Sequence, residues 1–228
     1  MLLALDTSTR LAGVALYDGD RGLLAEYNWQ SANQHTVELM PQVAQMAARA
    51  GVMPADLRGV AVALGPGSFT GLRVALAAAK GLALAQGLPL LGVSTLDAVA
   101  YPHQWQPMPV VALIQAGRGR VCWAIYAHGP GGWSPQSEYR LTTVAALAAE
   151  AARPMMFVGE LLPADQQTLI AQLGRPRASF LPAALTMRRA GYLAELAWKR
   201  FVAGEADDPA TLSPIYLHEP PKPRGAGG

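Results

Sequence analysis

The 228 residues predict an α/β protein built of two related halves. Three observations carry the prediction. A strand-hairpin pattern followed by alternating helical and extended segments occurs twice along the chain. Extended segments such as "GVAVAL" are short, wholly apolar runs of the kind found in buried parallel strands. Between the repeats, "YPHQWQPMP" (101–109) places three prolines in nine residues, through which neither a helix nor a central strand passes. The predicted units are 1–102 and 107–218, with the last helix free to pack back on the first unit. The stretch 219–228, "EPPKPRGAGG", has no apolar periodicity and is expected to be disordered.

In chain order, "LLALDTS", "LAGVALYDGD" and "GLLAEYNWQ" read as an antiparallel meander, because Val, Leu and Tyr segments are bounded by Thr-Ser-Thr and Asp-Gly-Asp turn signals. From Asn33 the period changes: Val37, Met40, Val43, Ala44 and Ala47 recur at helical spacing until Gly51, a C-cap. "GVAVAL" then forms a strand, Thr70 to Gln86 a helix, and "PLLGVS" the next strand. The second half begins again with "VVALIQAG", "RVCWAIYAH" and an edge strand near "SEYRL". A helix around "TTVAALAAEAA", a strand "MMFVG" and two further helices follow. In the last of these, Tyr192, Leu193, Leu196, Ala197 and Phe201 form a stripe suited to a core.

Hydrophobic residues make up 51% of the chain and charged ones 15%, against about 25% charged in a typical globular domain. An unusually large share of the surface is therefore expected to face another protein. No run reaches the roughly 18 apolar residues of a membrane helix, and the best one, "VALAAAKGLALA", carries Lys80. Asp6 ends the first apolar run too early for a signal sequence. The single cysteine, Cys122, excludes an internal disulfide, fits a reducing cytoplasm, and sits in an apolar strand pattern as a core residue. A net charge of +2 lacks the concentrated basic face of a nucleic-acid binder. The pair Arg188–Arg189 reads as solvated helix surface.

"VALGPGSFTGLRVALAAAKGLA" (Val62 to Ala83) poses the chemical question, because its glycines suggest a phosphate cradle. A Walker loop needs Gly, four residues, then Gly-Lys-Ser/Thr, which is not met. Gly65, Gly67 and Gly71 give GxGxxxG, missing the dinucleotide pattern because Thr70 stands in the third glycine's place. Pro66 removes an amide donor and Lys80 lies deep in the helix. A tight strand-to-helix turn, capped by Ser68 or Thr70, accounts for the loop. Anion binding at the helix N-terminus, with Arg73 one turn inside, stays open as an alternative. The helix has two apolar stripes: Leu72, Leu76, Ala79 and Ala83, and Val74, Ala78, Gly81 and Ala85. One can pack on the sheet; the other needs another helix or another protein.

Four segments together carry a resemblance: "ALDTSTRLAGVAL", "HTVELMPQV", "GPGSFTGLRVALAAAKGLA" and "GVSTLDAVA". In order and spacing they resemble the bacterial TsaB family, with the likeness fading after the first hundred or so residues to "RGRVCWAIY". The resemblance implies an actin, hexokinase and sugar-kinase type fold of two related α/β subdomains, each with a mixed five-stranded sheet. It implies a non-catalytic scaffold that binds the catalytic paralogue TsaD and, with the ATPase TsaE, supports transfer of threonylcarbamoyl from threonylcarbamoyl-AMP to the adenosine beside the tRNA anticodon. ATP or ADP and metal are expected on the partner subunits, none on this chain; tRNA is met only through the complex, and a homodimer is expected without partners.

The departures from the catalytic paralogue shape this reading. Its His-x-x-x-His positions hold Thr95 and Val99 here, so no metal site is expected. Asp6, Thr7 and Ser8 are a vestigial phosphate-binding turn that keeps the acid and lacks the glycine, and Asp-Ala-Arg is replaced by Gln115-Ala116-Gly117. The expected partner-binding residues are His35, Leu39 and Val43 on the first helix. On the loop and second helix they are Gly65, Pro66, Gly67, Ser68, Phe69, Thr70, Gly71, Leu72, Arg73, Leu76 and Ala79. Ala79→Arg or Gly71→Arg is expected to abolish the contact without unfolding the chain. The rival readings are a small-molecule kinase or ATPase of the same fold and a glycoprotease-like metallopeptidase.

Overall fold

The computed structural model describes residues 1–217, so the expected disorder of 219–228 lies outside the described residues. The first half opens on the meander β1 (Leu2–Asp6), β2 (Leu11–Asp18) and β3 (Gly22–Gln30), followed by α1 (His35–Ala50), β4 (Gly59–Ala63), α2 (Phe69–Gln86) and β5 (Leu90–Val93). Its five-stranded sheet has the order β3-β2-β1-β4-β5. β4 and β5 run parallel to β1, as their uninterrupted apolar sequences require when both faces are covered. α1 begins at His35 rather than Asn33, because Asn33 adopts a left-handed conformation (φ 66°) that turns the chain out of β3. Gly51 closes α1 at φ 66°, the left-handed C-cap expected of it.

After α3 (Thr95–Ala100) and a 3₁₀ turn at Tyr101–His103 comes a second meander, β6 (Val110–Gly117), β7 (Arg120–Gly129), β8 (Gly132–Pro135) and β9 (Arg140–Thr143). Then follow α4 (Val144–Glu150), β10 (Met155–Gly159), α5 (Pro163–Leu173), β11 (Ala178–Phe180), α6 (Ala183–Thr186) and α7 (Ala190–Val202). This sheet has six strands rather than five: the path is β11-β10-β6-β7-β8, and β9 also pairs with β7. β8 covers the Tyr126–Gly129 end of β7 and β9 its Arg120–Trp123 end, so the single edge strand expected near "SEYRL" is two short ones. β11 spans three residues, too few to show a period in the sequence.

Four apolar layers hold the fold. α1 and α2 cover one face of the first sheet through Leu39, Val43, Met46, Ala75, Leu76 and Ala79, while α7 covers the other through Leu193, Ala194 and Ala197. α4 and α5 cover the outer face of the second sheet, and α3 covers its inner face with Leu96 and Val99. α3 thus leaves the first half to pack on the second sheet, and α7 leaves the second half to pack on the first. Each fully buried Leu in these layers contributes about 2 kcal/mol. Past α7 the chain straps the edge of the first sheet: Asp207 bridges to Leu90, the Ile215 amide donates to the Leu64 carbonyl at 2.7 Å, and Tyr216 stops against the first turn of α2.

Candidate functional site

The glycine loop is stitched to the turn after β1. The Ser68 amide donates to the Ser8 carbonyl at 2.6 Å, and the Thr7 hydroxyl donates to the Gly71 carbonyl at 2.7 Å. A Cβ on Gly67 would stand 2.2 Å from the Ser8 carbonyl oxygen, and one on Gly71 2.0 Å from that of Thr7. These glycines therefore admit another stretch of this chain's backbone. Ser68 is the N-cap of α2, its hydroxyl accepting from the Gly71 amide at 3.3 Å.

The expected phosphate-binding turn is consumed by the same packing. Asp6, Thr7 and Ser8 are at most 2% exposed. Asp6 Oδ1 accepts from the Ser8 amide (2.8 Å) and hydroxyl (2.6 Å), and its Oδ2 accepts from Arg188 Nε at 2.6 Å. Arg188, read from sequence as solvated, is 3% exposed. Its remaining nitrogens donate to Glu160 Oε1 at 3.2 Å, to the Thr9 hydroxyl at 3.0 Å, and to the Leu11 carbonyl. Burial works against its charge, but Asp6 and Glu160 outweigh it and hold the guanidinium pKa above its ordinary value. Gln115 completes the network: its amide donates to Glu160 Oε2 at 3.2 Å and its side chain to Asp165 Oδ2 at 2.7 Å.

This network forms one wall of a cleft of ≈ 940 Å³ between the halves, lined also by Arg10, Gly117 and Met187. At the two positions where the resemblance would set a histidine pair, this chain has Thr95 and Val99. Thr95 and Val99 are 0% and 2% exposed, and Val99 packs in the core of the second half. Among the described residues no group of three or more His, Cys, Asp or Glu side chains is placed to hold a metal ion. Cys122 is buried, and desolvation pushes its thiol pKa up to about 11, the behaviour of a core residue.

An unpartnered apolar surface lies on the outward side of α1 and α2. Here a groove of ≈ 480 Å³ is lined by Thr36, Met40, Phe69, Arg73, Val74 and Ala77. Val37 (66% exposed), Met40 (41%), Phe69 (54%) and Leu84 (71%) leave large apolar side chains in water around it. At one end Arg73 lies over the Phe69 ring, 3.8 Å from its centroid, and its Nε donates to the Tyr216 hydroxyl at 3.1 Å. Tyr216 in turn packs on Phe69, ring centroids 5.2 Å apart.

The expected contact residues divide on this geometry. Phe69, Thr70 and Arg73 line the groove and Ser68 is exposed beside them. His35, Val43, Leu72, Leu76, Ala79, Gly65, Pro66 and Gly71 are buried inside this chain, and Gly67 is half-buried against Ser8. Leu39 reaches the floor of the groove but is 1% exposed. Leu76 and Ala79 pack in the core over the first sheet, Leu72 is buried beside Gly65, and a Cβ on Gly71 meets the Thr7 carbonyl, so Ala79→Arg and Gly71→Arg would break the fold rather than a contact. The outward stripe instead runs through Arg73, Ala77, Lys80 and Leu84, and sequence reasoning missed Thr36, Ala77, Leu84 and Tyr216 as surface residues of this face. His35 is a helix-start residue whose pKa burial lowers, with Nδ1 unpaired among the described residues.

Known proteins share this architecture and sequence. A family model described as TsaD, tRNA N6-adenosine threonylcarbamoyltransferase, matches residues 29–222. The tRNA threonylcarbamoyladenosine biosynthesis protein TsaB of Bacillus subtilis strain 168 is 31% identical over 176 residues, 76% of each chain. The Escherichia coli K12 protein of that description is 36% identical over 134 residues, 58% of this chain and 57% of the relative. The solved structure of YeaZ from Pseudomonas aeruginosa superposes with a TM-score of 0.76 at 29% identity, covering 95% of this chain and 99% of that one. With two α/β halves built on mixed sheets and a match to relatives along most of its length, this chain belongs to the TsaB family of tRNA threonylcarbamoyladenosine biosynthesis proteins, built on a TsaD-type domain.

Proposed function

We propose that this chain is a scaffold subunit that docks the catalytic paralogue TsaD on the outward face of α1 and α2 and, with TsaE, supports threonylcarbamoyl transfer to tRNA in the cytoplasm. The observation that carries the reading is the contrast between two of its concave surfaces, the cleft between the halves and the α1/α2 groove. Where an actin-type ATPase would hold phosphate, both Asp6 carboxylate oxygens are taken by Ser8 and Arg188, and the glycine loop is packed on Thr7 and Ser8. Nucleotide and metal then belong to the partner subunits, and tRNA is met only through the complex. The α1/α2 groove, in contrast, is apolar, open and rimmed by exposed Val37, Met40, Phe69 and Leu84, the composition of a protein interface core. The alanine-rich outer side of α2 admits close helix crossing, and a stable contact here buries roughly 800 Å² per partner. In the absence of TsaD the same face pairs with a second copy.

The test is light scattering on size-exclusion fractions of this chain mixed with TsaD from the same organism, for the wild type and Ala77→Arg. Ala77 is exposed on the groove wall, so the substitution leaves the core untouched. A stoichiometric complex at low micromolar concentration, lost in a variant that melts like the wild type, is the expected result. Retention of the complex by folded Ala77→Arg would contradict this placement of the docking face.

A further inference from the structure

α1 and α2 carry three basic side chains, Arg49, Arg73 and Lys80, against a single carboxylate, Glu38. Glu38 is occupied, accepting from the Trp29 indole at 3.0 Å. None of the three cations meets a carboxylate among the described residues: Arg49 donates to the Tyr27 hydroxyl at 3.2 Å, and Arg73 to that of Tyr216 at 3.1 Å. Residues 73, 77, 80 and 84 recur at helical spacing, so Arg73 and Lys80 flank Ala77 on one stripe. Arg73 is also held in place, its guanidinium stacked on Phe69 and its Nε tied to the strap that ends in Tyr216. A charge fixed before docking costs little ordering when a partner arrives.

Resting on the docking reading above, we infer that this face discriminates by charge: it pairs with a second copy of itself more weakly than its apolar contacts alone would allow, and selects a partner helix pair that places carboxylates opposite Arg73 and Lys80. A two-fold contact sets the same patch against itself. Self-pairing on this face therefore brings cations toward cations, with the one acid already engaged. A helix pair of the same shape bearing acids relieves that repulsion and gains charge-assisted hydrogen bonds from the free guanidinium nitrogens of Arg73. The homodimer and the heterodimer thus share apolar contacts and differ in the sign of their electrostatics.

The experiment measures two dissociation constants for the full chain, with itself by sedimentation equilibrium and with TsaD of the same organism by calorimetry, each at low and high sodium chloride. Screening removes attraction and repulsion alike. Salt is therefore expected to tighten self-association and weaken the heterodimer. Arg73→Glu is expected at low salt to tighten self-association about tenfold and weaken TsaD binding about tenfold or more. Salt effects of the same sign on both equilibria, or an Arg73→Glu variant that weakens both or changes neither, would overturn the inference. If Ala77→Arg still abolishes the heterodimer in that case, the docking face stands and only the charge selection fails. If Ala77→Arg changes nothing, or no heterodimer forms, the docking reading fails and takes this inference with it.

Discussion

Arg188 joins the two halves by a single guanidinium, reaching Asp6 from 182 residues away in sequence and Glu160 on the other side of the cleft. Removing one member of a buried ion pair strands the other's charge, which costs about 3–5 kcal/mol. Arg188→Ala should lose that much in urea unfolding, and the double variant Asp6→Asn with Arg188→Met should regain most of it; a single variant as stable as the wild type would show the clamp to be idle. Asp97 gives a pH prediction. Its Oδ1 accepts from the Tyr126 and Tyr139 hydroxyls at 2.6 and 2.9 Å, yet burial raises its pKa above the ordinary carboxylate value despite those bonds. The folded state thus holds this proton more tightly than the unfolded chain, so its contribution is fully present below the unfolded pKa near about 4 and is lost as pH rises through the raised value. Asp97→Asn keeps the acceptor and cannot ionise. The melting temperature of Asp97→Asn relative to wild type should therefore climb from pH 4 to pH 7, and a constant or falling difference would contradict the burial argument. The sequence displays Asp6 plainly, as the acid that ends an apolar strand. It does not display Arg188, because adjacent arginines ahead of a helix are mostly solvated and the pairing is wholly non-local.

At the scale of the element, α2 shows what periodicity can and cannot settle. Its extent follows from local chemistry and is found within a residue of expectation, and of the two caps the sequence allows, Ser68 and Thr70, the helix uses Ser68. Which stripe faces inward does not follow, since Leu72-Leu76-Ala79 and Val74-Ala78-Gly81 are both apolar and small, and polarity offers no choice between them. The tertiary contacts decide it: Leu76, with Ala75, Ala79 and Ala83, packs in the core over β1 and β4, and Leu72 is buried beside Gly65. Substitutions should separate the two sides. Ala79→Arg should fail to fold, because Ala79 is 0% exposed, whereas Gly81→Arg should fold as well as the wild type, since a Cβ there meets nothing within 4 Å. Ser68→Ala should cost about 1 kcal/mol of stability through its cap. Gly71→Ala should cost more than Ser68→Ala in the same thermal melts, because its Cβ drives into the Thr7 carbonyl. Equal losses would show that the loop yields more easily than the close approach implies.

For the whole molecule, the doubled α/β order was legible because each half repeats the succession of hairpin, helix and parallel strand. The exchange of α3 and α7 between the halves was not, since an apolar stripe reports burial and leaves the covering sheet unnamed. The strap after α7 was illegible for a similar reason: Tyr216 matters only once Ile215 is bonded to Leu64 beside the glycine loop. That exchange and the Arg188 clamp leave the α1/α2 face as a broad apolar surface that the fold itself does not cover. Hydrogen exchange of this chain with and without TsaD tests that claim most directly. New protection is expected to concentrate in residues 36–49 and 69–84, with the strap at 212–217 slowed alongside. Protection confined to the cleft walls around Gln115 and Glu160, with α1 and α2 exchanging as in the free chain, would contradict it.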